Sequence, residues 1–142
     1  MREIKFRIWN GREMEYNITA GKFGAFYVNP EKGDGLNPQD TASLTTCTTK
    51  YHDGTPVMEF SGEKDIEGKE IYEGDILELT DPYGETKDVS EVRYVNSAFV
   101  IEADGWFGGG ECDVTSVGWA IEEDVKLKII GNIYENPELQ PK

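Results

Sequence analysis

Histidine is almost missing from this sequence: His52 is the only one among 142 residues. Without a second imidazole, the usual zinc hydrolase ligand sets and paired acid–base histidines cannot be assembled. Cysteine is nearly as scarce. Cys47 and Cys112 have no short spacing that would mark a zinc site or a redox pair. No apolar run approaches the roughly 20 residues that a membrane span needs. The opening "MREIKFRIWNG" alternates charged and apolar residues, which excludes the apolar segment of a secretion signal. A reducing, cytoplasmic setting is therefore the expectation.

Positive charge is also in short supply. Lys and Arg number 14 against 28 Asp and Glu, a net of −14. The deficit is uneven. Residues 1–60 hold 7 basic and 8 acidic residues, a net of −1; residues 61–142 hold 7 and 20, a net of −13. A field of that sign repels nucleic-acid phosphates and anionic membranes, so neither is expected as a direct partner. The plain reading of the excess is solubility. The sharper one is a surface that imitates a polyanion or meets a basic protein.

What is present is a pattern of short apolar runs punctuated by 16 glycines, the mark of many short strands rather than a helical bundle. "REIKFRIW" alternates, with Ile4, Phe6 and Ile8 on one face and Glu3, Lys5, Arg7 and Trp9 on the other. Asn10-Gly11 predicts a tight turn with positive φ angles, after which Met14, Tyr16 and Ile18 resume the alternation. "GKFGAFYV" predicts a third strand anchored by Phe23, Phe26 and Tyr27. Residues 29–50 are rich in Pro, Gly, Ser and Thr and read as a long loop. "YHDGTPVMEFSG" reads as strand, turn and strand, with Pro56 placing the second near an edge. Further strands are predicted in "DIEGKEIY", "EGDILELTD", "SEVRYVNSAFVIEAD", "TSVGWAIEE" and "KLKIIGNIY"; "GWAIEEDV" reads equally as one short helix. Six or more strands in about eighty residues predict a small closed or partly closed barrel.

The residues that could carry chemistry each have a plainer explanation. Gly74-Asp75 could supply a metal ligand or general base beside Glu73 and Glu78. The stronger reading gives Gly74 the turn and makes the Asp75 carboxylate an acceptor for backbone N–H groups within it. Glu70 with Glu73, Glu111 with Asp113, and the run Glu122, Glu123 and Asp124 could admit a hard cation, but a solvated acidic face accounts for them. Cys47 lies five residues from His52 in loop-like sequence with no nucleophile elbow. Gly108 to Gly110 lack the Lys-Ser/Thr of a phosphate loop, and Glu111 follows instead. Trp106 and Phe107, beside those glycines, read as core anchors or as an exposed contact patch, and they are the candidate binding residues. No catalytic, cofactor or metal-binding residues are predicted.

Three blocks carry a resemblance: "REIKFRIWN" followed by Met14 and Tyr16, "FSGEKDIEGKEIYEGDIL" from Phe60 to Leu77, and "IIGNIYENPEL" from Ile129 to Leu139. Together, in this order, they resemble the YopX family of small proteins encoded by bacteriophages and prophages. Where that family usually has Thr-Gly-Leu, this chain has Ser61-Gly62-Glu63. The resemblance implies a mostly β protein with a barrel of SH3-like character in its second half. The change in charge balance near Gly62 divides the chain into an N-terminal β-hairpin lobe with a long loop over residues 1–61 and an acidic barrel lobe over residues 62–142. The resemblance implies no reaction. Gly68, Gly74, Asp75, Gly131, Asn132 and Tyr134 are expected as turn and packing determinants, with a bulge or turn at Gly131-Asn132. Ile71, Ile76, Ile130, Ile133 and Tyr134 are expected in the core. The expected role is a non-enzymatic interaction module in the host cytoplasm, with a host or phage protein or a second copy as partner. An acidic inhibitor of a nucleic-acid-binding protein is the alternative.

Overall fold

The computed structural model describes residues 4–20, 26–28, 56–103 and 113–140. The chain is mostly β. It divides into two compact units, drawn from Glu3–Glu59 and Phe60–Lys142, and the division falls within one strand.

In the first unit, β1 (Phe6–Trp9) pairs antiparallel with β2 (Met14–Ala20) on one side and with the start of β4 (Val57–Lys64) on the other, while β3 (Phe26–Val28) lies outside β2. Asn10 is not one of the positive-φ residues; Gly11 alone supplies that angle, at +92°. Asn10 instead closes the loop with its side chain, whose Oδ1 accepts the N–H groups of Arg12 and Glu13 at 2.9 Å each. The alternation of β1 is also interrupted. Ile8 is fully buried, but Ile4 is 68% exposed and Arg7, expected on the solvent face, is buried. The pairing with β2 shifts register between Phe6 and Ile8, and such a bulge re-aims the side chains around it. Phe23 lies outside the described residues.

The second unit holds curled antiparallel sheets that form a half-barrel. The end of β4 pairs with β5 (Glu70–Tyr72), bringing the Phe60 and Tyr72 rings to 5.5 Å. One sheet has β6 (Asp75–Thr80) between β7 (Lys87–Glu91) and β11 (Lys126–Asn132). Another has β9 (Ala98–Ala103) between β8 (Arg93–Val95) and β10 (Asp113–Ser116). "SEVRYVNSAFVIEAD" takes in the end of β7 and all of β8 and β9. Asn96 and Ser97 adopt φ values of 50° and 65°, the paired positive angles of a two-residue hairpin. Of the two readings of "GWAIEEDV", the helix is the one observed. Helix α1 spans Val117–Glu122, and the Ser116 Oγ caps it by accepting the Trp119 N–H at 3.1 Å.

The core gathers Ile71, Leu77, Leu79, Val92, Ile101, Val117 and Leu127, with Phe99 and Ala120 among others. Each large side chain contributes roughly 1.5–3 kcal/mol by leaving water. Ile76 and Leu77 are neighbours in sequence, yet both are fully buried. Successive strand residues point to opposite faces, so both faces of β6 are covered at this stretch. Ile71 and Ile76 are core residues as expected, whereas Ile130, Ile133 and Tyr134 are only half-buried. They lie at or beyond a register shift between Ile129 and Gly131, which takes the chain out of the covered part of the sheet.

Candidate functional site

Four polar side chains organise the turns of the second unit. Asp65 is buried, and its Oδ1 accepts the N–H groups of Glu67 and Lys69 at 2.9 Å each. Its Oδ2 reaches across the unit to accept the Ile129 N–H at 3.0 Å, from a residue 64 positions away. Burial alone would raise the pKa of Asp65. The N–H donors of Ile129, Lys69 and Glu67, helped by the Lys69 charge, outweigh it and hold the carboxyl below its ordinary range.

Asp75 is 2% exposed, and its Oδ2 accepts the Tyr72 N–H at 2.8 Å. Gly74 before it has φ +86°. The same corner exchanges backbone bonds with Val92, through Gly74 N–H to Val92 O and Val92 N–H to Asp75 O, both 2.8 Å, and the Ile133 N–H donates to Gly74 O at 3.0 Å. The turn thus holds the β5–β6 corner, the β7–β8 junction and the end of β11 together.

Asp81, which the sequence reading passed over, repeats the device on the surface. Its carboxylate accepts N–H groups from Tyr83, Glu85 and Thr86 at 3.1, 2.8 and 3.0 Å. The signal in the sequence is Asp81 followed three residues later by Gly84, whose φ is +73°. Asn132 closes the fourth corner. Its Oδ1 accepts from Tyr134 and Glu135 at 3.1 and 2.9 Å, and the Asn136 Oδ1 accepts the Asn132 N–H at 3.3 Å.

Glu70 receives the Tyr72 hydroxyl at 3.4 Å. Glu122, Glu123 and Asp124 are exposed at the end of α1. Among the described residues, no three His, Cys, Asp or Glu side chains are grouped to hold a metal. Trp106 and Phe107, the glycines at 108–110, Glu111, Cys47, Cys112, His52 and the loop at 30–50 all lie outside the described residues.

Two features were not anticipated. One is an open depression of about 500 Å³ in the second unit, lined by Lys64, Ile66, Pro82, Ile121, Asp124 and Lys126, with buried Asp65, Val125 and Leu127 beneath. The other is a set of exposed apolar side chains on one sheet: Tyr94 and Val95 on β8, at 50% and 42%, and Val114 on β10, at 54%. Neither could be found from local patterning, because each assembles residues from separate elements.

Comparison with known proteins gives a family. The YopX protein family matches residues 5–140. A SPbeta prophage-derived uncharacterized protein YopX of Bacillus subtilis (strain 168) is 30% identical over 135 residues, covering 94% of this chain and 93% of its own. The crystal structure of yopX from Bacillus subtilis superimposes with a TM-score of 0.65 at 24% identity, over 96% of this chain and 98% of that one. The crystal structure of Enterococcus faecalis EF1440 does so with a TM-score of 0.62 at 25% identity, over 99% and 100%. None of these descriptions names a reaction or a ligand. With the family match running through both units and all four polar corners, the chain belongs to the YopX family.

Proposed function

We propose that this chain is a phage- or prophage-encoded, non-enzymatic protein-interaction module that works in the host cytoplasm. The prophage origin of its Bacillus relative supports the genetic setting. The observation that carries the interaction reading is strand β8. All three of its residues are exposed, at the edge of its sheet among the described residues, with apolar Tyr94 and Val95 among them. An exposed strand edge is what strand-pairing partners use. The partner is a host or phage protein, or a second copy of the chain. The turn carboxylates Asp65, Asp75 and Asp81 already accept backbone N–H groups, which favours a structural over a chemical role for them.

The test is affinity capture of the tagged full chain from host lysate, with light scattering on the purified protein. A saturable complex or a concentration-dependent dimer, weakened by Val95→Lys, is expected. A strictly monomeric protein with no saturable partner overturns the reading. The net charge of −13 over residues 61–142 favours a second reading, an acidic inhibitor seated in the nucleic-acid site of a host protein. That reading requires a basic partner and binding that weakens steeply with salt; salt-insensitive binding excludes it.

A further inference from the structure

We propose that the open edge of β8 pairs antiparallel with the same edge of a second copy of the chain, with Tyr94 on the twofold axis. The inference rests on the interaction-module reading and adds to it the partner and the register.

The ladder decides which backbone groups are open. A two-residue hairpin makes the residues flanking its loop a hydrogen-bonded pair, and such pairs alternate along antiparallel strands. Val95 and Ala98 flank the loop, so Arg93 and Val100 form the next hydrogen-bonded pair, and Tyr94 opposite Phe99 lies between them. The 4.9 Å between the Tyr94 and Phe99 rings agrees, since side chains approach more closely at non-bonded pairs. The N–H and C=O of Tyr94 therefore point away from β9. Val92, two residues earlier, uses that side of the chain: its N–H donates to Asp75 O and its O accepts the Gly74 N–H, both at 2.8 Å. Beyond that corner, among the described residues, only β9 pairs with β8. The outer side of β11, by contrast, is occupied. Ile66 N–H donates to Leu127 O, and Ile129 N–H donates to Asp65.

Charge selects a second copy for this edge. Residues 61–142, with a net of −13, repel their own kind over most of their surface. From Val92 to Ile101 they hold no carboxylate and one cation, Arg93, which pairs with Glu102 of its own chain. With the axis at Tyr94, the two Tyr94 residues exchange both backbone bonds, an isologous contact. Arg93 then lies opposite Val95 of the second copy, twice, and no like charges face each other. The aliphatic stem of Arg93 covers that valine, which is 42% exposed in the single chain. A second copy also arrives with its strand already extended, whereas a free peptide must be ordered for the same two bonds.

The test is sedimentation equilibrium of the purified full chain from about 1 μM to about 1 mM, the range of a small interface. A monomer–dimer equilibrium is expected. Tyr94→Pro removes the open N–H without touching a β9 bond and is expected to abolish the dimer, with a cooperative urea transition confirming the fold. Variants of Val95 test the register independently of that substitution. Val95→Lys sets like charges opposite each other twice, and Val95→Glu sets opposite charges there twice. Val95→Glu is expected to dimerise at least about fivefold more tightly than Val95→Lys. Net charge alone predicts the reverse order, because lysine relieves the repulsion between copies and glutamate adds to it. A chain that stays monomeric throughout, a dimer indifferent to Tyr94→Pro, or the reverse order of the two Val95 variants overturns the proposal. A monomeric chain that still captures a host or phage protein overturns self-pairing alone and leaves the interaction-module reading standing.

Discussion

Asp65 and Asp81 build the same local turn, yet they are placed at different depths. Each accepts the N–H groups two and four residues ahead, from Glu67 and Lys69 in one case and from Tyr83 and Glu85 in the other. The third donor separates them. For Asp81 it is Thr86, in the same loop; for Asp65 it is Ile129, on β11. The Asp65 turn is also tied to β11 by the Ile66 N–H donating to Leu127 O at 2.9 Å. One carboxylate therefore shapes a surface loop, and the other joins two segments that only the folded chain brings together. The lesson is that an Asx turn read from sequence states local geometry, while its energetic weight depends on what else the carboxylate holds.

Removing the side chains tests that difference directly. Asp65→Ala leaves the Ile129 N–H and two turn N–H groups without their charged acceptor. Hydrogen bonds to charged groups are each worth ~1.5–3 kcal/mol, and a buried orphan carries its own desolvation cost. The expected loss is about 3 kcal/mol in urea unfolding at neutral pH. Asp81→Ala, in an exposed loop, is expected to shift the midpoint far less. Equal shifts for the two variants would mean that the Ile129 link contributes nothing.

Gly131→Ala attacks the same link from the other strand. A Cβ there would overlap the Asn136 side chain, so Asn136 must shift and its bond to the Asn132 N–H, beside the β11 bulge, must give way. About 2 kcal/mol is expected, in the range of overpacking strain. Because the bulge begins beside Ile129, Asp65→Ala should cost less in this background than in the native one. Strict additivity in a double-mutant cycle would separate the bulge from the Asp65 anchor.

Much of this architecture was legible because it is local. Gly74-Asp75 reads as a turn in sequence, and the family resemblance implied a bulge or turn at Gly131-Asn132; both features are set by neighbouring backbone. The strand runs of β5, β6 and β11 were visible for the same reason. What escaped depends on tertiary placement. Arg7 sits on the polar face of a perfect alternation, yet it is buried, at a register shift against β2. Asn96-Ser97 lacks the glycine that usually marks a two-residue hairpin, so nothing in the sequence marked the turn between β8 and β9. Leu77 and Leu79 share one face of β6, yet Ile76 on the other face is buried as well, which depends on packing over that face and not on the local pattern. The open depression draws on β4, the β6–β7 loop, α1 and β11, and no window of sequence contains it.

Acid provides the finest comparison of the two turns. Burial opposes ionisation of Asp65, while its N–H donors and Lys69 favour it and lower its pKa. Asp81 is likewise lowered: partial loss of hydration opposes its charge, and hydrogen bonds from Glu85, Thr86 and Tyr83 overcome that opposition. A folded-state pKa below the unfolded value contributes stability that is complete above the ordinary value of 3.8 and disappears as pH falls through the folded value. The stability gap between native protein and Asp65→Asn should therefore be constant from neutral pH down to about 5 and close as the solution becomes more acidic. Both carboxylates predict the same sign, but only Asp65 couples its protonation to β11. Amide exchange at Ile129 should accelerate over that acid range relative to the β6–β7 core, after correction for intrinsic exchange rates. Exchange at Ile129 that tracks global unfolding throughout would show that the Asp65 bond is never the first to open.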